Sequence, residues 1–177
     1  VTGMVPTSST SITLLVGDCL ATTVMQRKQF SKEKFKLFHP GGTIGKSLLL
    51  AKDIMITGVK MPVVNIKKNL KDVLREINKK NLGIAVIQQN KFIKGIITDG
   101  DLRREIRNYS SKKRIENFMS KNPMIVNENM TASKALSIMN DKKITSLLVV
   151  DDNNYVKKNK ILKGIIHIHS LLEKGIR

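Results

Sequence analysis

The stretch IKGIITDGDL at residues 93–102 decides the fold, because the similar stretch LKGIIHIHSL follows at residues 162–171. In both stretches an apolar, largely β-branched run leads into residues that favour the start of a helix. Further apolar runs of strand length precede them, at residues 84–87 and 146–150, and a loop separates the two runs of each pair. The sequence therefore predicts two copies of a strand-loop-strand-helix segment.

The same duplication continues upstream, at an offset of about 62 residues. Asn69 and Thr131 are residue types that cap helices, and each is followed by apolar residues at the spacing of one buried helical face. These faces comprise Leu70, Val73, Leu74 and Ile77 in the first copy, and Ala132, Ala135, Leu136 and Met139 in the second. A short apolar run after a proline, at residues 62–66 and 123–127, predicts one more strand before each helix.

Each copy is thus predicted to be a β-α-β-β-α unit of about 60 residues. One such unit buries too little surface to be stable alone, so the two copies are expected to pack together as one pseudo-symmetric module. We expect domains at residues 52–107 and 115–174, joined by a basic linker at residues 108–114.

Three short motifs agree with this architecture: DIM at residues 53–55, FMSKNP at residues 118–123 and GIITDGD at residues 95–101. Their positions and the repeat period resemble a tandem pair of CBS domains, also called a Bateman module. The resemblance implies an α/β fold, more narrowly α+β, and a ligand of adenosine type. In that family a Thr/Ser-x-x-Asp element at a strand-to-helix junction grips the ribose.

The resemblance makes Thr98 and Asp101 candidate nucleotide-binding residues in the first copy. A carboxylate can accept two hydroxyl hydrogen bonds, as ribose recognition requires. The equivalent residues in the second copy are His167 and Ser170, so His167 is the third candidate and the ribose-binding carboxylate is missing there. As an alternative role, Asp99 and Asp101 would stabilise the first turn of the helix that starts at this junction.

His167 and His169 are two positions apart, so on a strand they would share a face. Two imidazoles on one face could bind a metal ion, but no cysteine or carboxylate cluster accompanies them in the sequence. We therefore predict no metal site.

The first fifty residues carry a different pattern. Ser8, Ser9 and Thr10 lie in a hydroxyl-rich segment before an apolar helix and are expected to cap it. Phe30 and Phe35 flank Ser31 at the spacing of a hydrophobic staple, which predicts a second short helix. That helix ends in the glycine-rich loop HPGGTIGK at residues 39–46.

These features resemble the closing segment of the sugar-isomerase (SIS) domain in the arabinose-5-phosphate isomerase (KpsF/GutQ) family, where this segment leads into two CBS domains. On this resemblance residues 1–50 form a helical tail of an SIS domain. The implied reaction interconverts D-arabinose 5-phosphate and D-ribulose 5-phosphate, for Kdo and lipopolysaccharide synthesis. His39 matches the active-site histidine of the family, and Ser8, Ser9 and Thr10 are candidate substrate contacts.

The catalytic sheet of that family lies upstream of this segment, and residues 1–50 predict helices without a sheet. The sequence begins with Val1 and is expected to be the C-terminal part of a longer enzyme, inactive alone. The resemblance also implies a cytoplasmic homo-oligomer, a dimer or tetramer, with sugar phosphates or nucleotides as its small-molecule partners. No cofactor is required; an adenine nucleotide or CMP-Kdo is the expected regulatory ligand.

Composition bears on the remaining function classes. The net charge of +18 suggests a nucleic-acid binder, but it is spread along the chain as +4, +7 and +7 over residues 1–50, 51–110 and 111–177. Aromatic residues make up 4% and tryptophan is absent, so stacking platforms for bases are scarce. No apolar run approaches the roughly 18 residues that span a bilayer, so we predict no membrane partner. A stand-alone CBS sensor or a truncated remnant is the alternative function, and a nucleic-acid binder ranks third.

Overall fold

The computed structural model describes residues 3, 5–31, 34, 35, 38, 42, 45, 46, 48–106, 114–155 and 160–176. The chain divides into two compact units, residues 1–45 and residues 46–177. No helix among the described residues is long and apolar enough to cross a membrane.

The first unit contains one long helix, α1 (Thr7–Arg27), with no buried residue. Its apolar side chains are exposed; Leu14, for example, is 68% exposed. After α1, the main-chain N–H of Lys34 donates to Oγ of Ser31 at 3.3 Å, and the Phe30 and Phe35 rings meet edge to face at 6.4 Å between centroids. The predicted hydrophobic staple is confirmed.

The predicted cap at the start of α1 is wrong. Pro6 occupies the cap position and makes no side-chain cap hydrogen bond. Ser9 and Thr10 lie within the first turns and donate their hydroxyls backwards to the carbonyl of Pro6, both at 3.0 Å. Proline fixes its own φ near the helical value and starts the helix at Thr7, so the hydroxyl-rich segment is incorporated into the helix.

The second unit contains the duplicated architecture, and its two copies have the predicted element order. The first copy consists of β1 (Val63–Asn65), α2 (Leu70–Lys80), β2 (Ile84–Gln89), β3 (Phe92–Thr98) and α3 (Asp99–Ile106). The second consists of β4 (Ile125–Asn127), α4 (Ala132–Lys142), β5 (Ser146–Val150), α5 (Asp152–Tyr155), β6 (Gly164–His167) and α6 (Ile168–Glu173). Short helix α5 is an addition to the predicted order, because it lies inside the predicted loop of the second copy.

Each copy builds a three-stranded sheet with the same pairing. In both sheets the first strand runs parallel to the second, and the second runs antiparallel to the third. The predicted helix caps are confirmed, because Oδ1 of Asn69 accepts from the N–H of Asp72 at 3.0 Å and Oγ1 of Thr131 accepts from the N–H of Lys134 at 3.4 Å. The two sheets meet through Val86, Leu148 and Ile165, all buried.

The segment that leads into each copy crosses to the sheet of the other copy. Ile56, before the first copy, bridges Ile165 in β6, with hydrogen bonds of 2.8 and 3.0 Å. Ser120, before the second copy, bridges Ile96 in β3, with hydrogen bonds of 2.9 and 3.0 Å. We call residues 51–56 and 115–120 the exchanged segments.

The exchanged segments also complete the hydrophobic core of the opposite copy. Ala51 and Ile54, from a one-turn helix before β1, pack in the cluster built from the second copy. Ile115 and Phe118, from a 3-10 turn before β4, pack in the cluster built from the first copy. The two copies therefore form one interwoven module, a closer association than simple packing of two separate units.

Candidate functional site

A cavity of about 910 Å³ opens where the last strand of each copy meets the following helix. Both copies contribute to its lining, together with Ser120, Pro123 and Met124 from the chain that leads into the second copy. This volume lies in the range of sites that bind small molecules. The cavity brings together Thr98, Asp101 and His167, which sequence analysis selected from places up to 69 positions apart.

On the first-copy side, Thr98 ends β3 and caps α3. The N–H and the Oγ1–H of Thr98 both donate to Oδ2 of Asp101, at 2.9 and 2.8 Å, and the N–H of Asp101 approaches Oγ1 of Thr98 at 3.3 Å. This reciprocal arrangement is a capping box. The alternative role predicted for Asp101, stabilisation of the first helical turn, is therefore present.

The capping box also fixes the direction of the Asp101 carboxylate at the cavity. The Asp101 side chain is 11% exposed, and its second oxygen, Oδ1, is paired with the guanidinium of Arg104, which is 74% exposed. The guanidinium end of this ion pair lies in solvent, where water and salt screen the attraction. A ligand hydroxyl can therefore replace the guanidinium at Oδ1 while Thr98 continues to hold Oδ2.

On the second-copy side, His167 ends β6 and occupies the position equivalent to Thr98. Nδ1 of His167 accepts from the N–H of His169 at 3.3 Å, so the imidazole caps α6 and carries its proton on Nε2 when neutral. The rings of His167 and His169 lie 4.9 Å apart between centroids. Burial, and secondly the charge of His169, lower the pKa of His167 below its usual value.

This shift predicts how stability depends on pH. Because the folded state binds the His167 proton more weakly than the unfolded state, protonation favours unfolding as pH falls below about 6.5, the usual histidine pKa. The loss of unfolding free energy stops once the pH is below the pKa of His167 in the folded state. We expect the wild-type chain to lose more unfolding free energy than His167→Asn between about pH 7.5 and about pH 5, with a slope of at most about 1.4 kcal/mol per pH unit.

Urea denaturation of both proteins at each pH measures this difference. Asparagine keeps a side-chain acceptor that can cap α6 but does not titrate. His169→Asn removes the smaller of the two causes and should reduce the wild-type loss without abolishing it. Equal losses in wild type and His167→Asn would show that His167 does not contribute.

The premise for a two-histidine metal face is wrong, because β6 ends at His167 and His169 already belongs to α6. In the part of the chain that the structure describes, no group of three or more histidine, cysteine, aspartate or glutamate side chains could hold a metal ion. Ser8, Ser9 and Thr10 lie on α1 in the first unit. His39 lies outside the described residues.

Sequence analysis missed Ser146, which lines the cavity at the start of β5. Its Oγ is buried and has no hydrogen-bond partner among the described residues. Its equivalent in the first copy is Ile84, at the start of β2. Alignment of the two copies would therefore have revealed Ser146, because it places a hydroxyl where the other copy has an apolar side chain.

The fold and the cavity define a class of protein: a tandem α+β repeat with a small-molecule-sized cavity shared by its two copies. Comparison with models of known protein families identifies the family to which the chain belongs. The CBS domain model matches residues 51–108 and 115–176, and the chain belongs to the CBS domain family.

Curated relatives extend the similarity over nearly the whole chain. Arabinose 5-phosphate isomerase KdsD of Escherichia coli (strain K12) is 40% identical over 182 residues, covering 98% of this chain and 52% of KdsD. An uncharacterized protein of Rickettsia prowazekii, RP505, is 39% identical over 172 residues, covering 97% of this chain and 52% of that protein. The chain spans about half the length of these relatives and matches their C-terminal part.

Solved structures share the fold at lower identity. CBSX2 in complex with AMP is 19% identical with a TM-score of 0.59, covering 72% of this chain and 96% of that one. The CBS pair of protein MJ0100, in complex with 5′-methylthioadenosine and S-adenosyl-L-methionine, is 21% identical with a TM-score of 0.61, covering 71% and 94%.

Proposed function

We propose that this chain is the C-terminal regulatory part of an arabinose-5-phosphate isomerase, and that its CBS pair senses a nucleotide-type ligand. The observation that carries the ligand site is the cavity on which Thr98, Asp101 and His167 converge. The observation that carries the enzyme is the 40% identity to KdsD over 98% of the chain. In this proposal residues 52–107 and 115–174 are the two CBS domains and residues 108–114 are their linker.

The Asp101 carboxylate is the ribose-binding group of the proposed site. Thr98 holds Oδ2, and Oδ1 is paired with an exposed arginine side chain that a ligand can displace. Vicinal ribose hydroxyls donate hydrogen bonds, and a carboxylate oxygen is their strongest acceptor in a protein. Adenine-bearing ligands in CBSX2 and MJ0100 support this choice of ligand class.

The exposed apolar side chains of helix α1 support the proposal that residues 1–50 belong to a larger domain. Its apolar side chains, Ile12, Leu15 and Leu20 among them, are each more than 60% exposed. A helix with apolar residues on all sides is stable when other secondary structure covers it. We propose that an upstream sugar-isomerase domain provides that cover and that residues 1–50 are its closing segment.

In the whole enzyme, His39 would act in ring opening or proton transfer and Ser8, Ser9 and Thr10 would contact the sugar phosphate. A base near pH 7 suits the transfer of a proton between C1 and C2 of the substrate. The whole protein would act in the cytoplasm as a homo-oligomer, a dimer or tetramer, in Kdo and lipopolysaccharide synthesis. Its CBS ligand would then be an adenine nucleotide or the end product CMP-Kdo.

The test of sensing is a titration of the full 177-residue chain with AMP, ATP and CMP-Kdo. We expect saturable heat with at least one of them, and that ligand, at about one hundred times its Kd, should add about 2.7 kcal/mol to the unfolding free energy. No heat and no thermal stabilisation with any of the three would contradict a sensing role.

The test of the enzymatic part uses the same purified chain with D-arabinose 5-phosphate. Because the first unit supplies helices without a described sheet, we expect no ketose to form from this chain. Fusion of the upstream half of KdsD to Val1 should restore turnover, and a fusion carrying His39→Ala should not. Turnover by the unfused chain would contradict the proposal, and an inactive fusion would favour a stand-alone sensor.

A further inference from the structure

The second-copy side of the cavity differs chemically from the first-copy side. Both carboxylates that line the described cavity, Asp99 and Asp101, belong to the first copy. The second copy contributes Lys142, Lys143 and His169, all exposed at this surface. The carboxylates of the lining therefore lie on the first-copy side, where Arg104 pairs with Asp101, and the two lysines lie on the second-copy side.

Two polar groups that the second copy contributes to the cavity can donate hydrogen bonds, one from His167 and one from Ser146. Nδ1 of His167 already accepts from the N–H of His169, which leaves Nε2–H as the free polar group of the neutral ring. Among the described residues Oγ of Ser146 has no partner. Ser146 and His167 are direct partners across the antiparallel pair β5 and β6, so their side chains lie on the same face.

An unsatisfied buried hydroxyl is costly, because it loses hydrogen bonds to water and gains none in return. Its first-copy equivalent, Ile84, shows that the same strand position folds well with an apolar side chain. The Ser146 hydroxyl therefore has no role in holding the strand, and its position in the cavity lining indicates a partner that binds there.

We propose that Ser146 and His167 bind an anionic oxygen group, a phosphate or a carboxylate, of the same ligand whose hydroxyls are bound by Asp101. The inference rests on the proposed nucleotide site and adds which chemistry each copy recognises. In place of the missing carboxylate, the second copy offers two hydrogen-bond donors in a lining that also contains Lys142 and Lys143. The preferred ligand carries hydroxyl groups at one end and a negative charge at the other.

Paired titrations with AMP and adenosine test this assignment, because the two probes differ only in the phosphate. We expect the wild-type chain to bind AMP at least about tenfold more tightly than adenosine. Ser146→Ala should weaken AMP binding about tenfold, as expected for a lost hydrogen bond to a charged group. The affinity for adenosine should be unchanged. Without ligand, Ser146→Ala should unfold at the same temperature as wild type or higher, because the hydroxyl has no partner among the described residues.

Ser137→Ala, on the exposed face of α4, is the matched control and should change neither affinity. Adenosine 5′-carboxylic acid, titrated alongside, distinguishes a phosphate-specific site from one that accepts either anion. Equal binding of AMP and adenosine, or equal effects of Ser146→Ala on both, would overturn the inference and leave the nucleotide site standing. Binding of no probe by the wild type would overturn the nucleotide site and this inference with it.

Discussion

Replacing Gly95 by alanine is expected to destabilise the CBS pair by about 3 kcal/mol, which is at the upper end for a single added methyl group in a packed core. A Cβ atom at this position would lie 2.6 Å from the carbonyl oxygen of Ser120 and 3.2 Å from Cγ and Sδ of Met119. The nearest contact is main chain, so a side-chain rotation cannot relieve it. The exchanged segment would have to move away from β3, and the two hydrogen bonds between Ile96 and Ser120 would be weakened.

Urea denaturation of the full chain measures this effect. Gly100→Ala is the matched control, since the nearest atom to its added Cβ, Oγ1 of Thr98, would lie 3.6 Å away, an ordinary contact. Alanine also favours the helix at that position, so the control should be as stable as wild type or slightly more stable. Equal stability of Gly95→Ala and Gly100→Ala would show that the exchanged segment is not held closely against β3.

Asp101→Asn is expected to weaken AMP binding by about tenfold to a hundredfold. Hydrogen bonds to a charged group contribute about 1.5–3 kcal/mol, and the amide retains one oxygen while losing the charge and the second acceptor. Adenosine binding should be weakened by a similar factor, because Asp101 is proposed to bind the ribose that both probes share. This pattern differs from that of Ser146→Ala, which should affect AMP alone.

Calorimetric titration measures the affinities, and thermal unfolding without ligand measures the capping contribution of Asp101 separately. The amide oxygen introduced by Asp101→Asn can still accept from the N–H of Thr98, so we expect a loss of about 1 kcal/mol at most from the capping box. Asp141→Asn, an exposed change of equal charge on α4 outside the cavity lining, controls for general electrostatics. Unaltered AMP affinity in Asp101→Asn would remove Asp101 from the site.

The duplication made most of the fold predictable from sequence. Element order, helix caps at Asn69 and Thr131 and the equivalence of Thr98 with His167 all follow from local spacing, and each copy provides an independent check on the other. The fold class was likewise expected, and so was the convergence of Thr98, Asp101 and His167 at one place. Local patterns were misleading at two helix starts, Pro6 before α1 and Ile168 between the two histidines, and in the second-copy loop that contains α5.

The exchanged segments were not predictable, because their partners are distant in sequence and their own patterns are too short to show a preferred sheet. Met55 and Met119 carry no sign of which copy they contact. The sequence did contain one indication of these contacts, a glycine at the same strand position in each copy. Gly95 leaves room for Met119, and Gly164 leaves room for Met55. A glycine inside a strand indicates close approach of another chain segment, but not its identity.

Because of the exchanged segments, the two halves of the module are completed over unequal lengths of chain. The sheet of the first copy and the segment that completes it are contiguous, within residues 57–120, whereas the second copy is completed by residues from before the first. Ile56 and Ile165 are about 110 positions apart and Ile96 and Ser120 about 24, so closing the former contact costs roughly 1 kcal/mol more chain entropy. The half with the donor groups therefore carries the greater entropic cost of closure, and it depends on chain from both ends of the module.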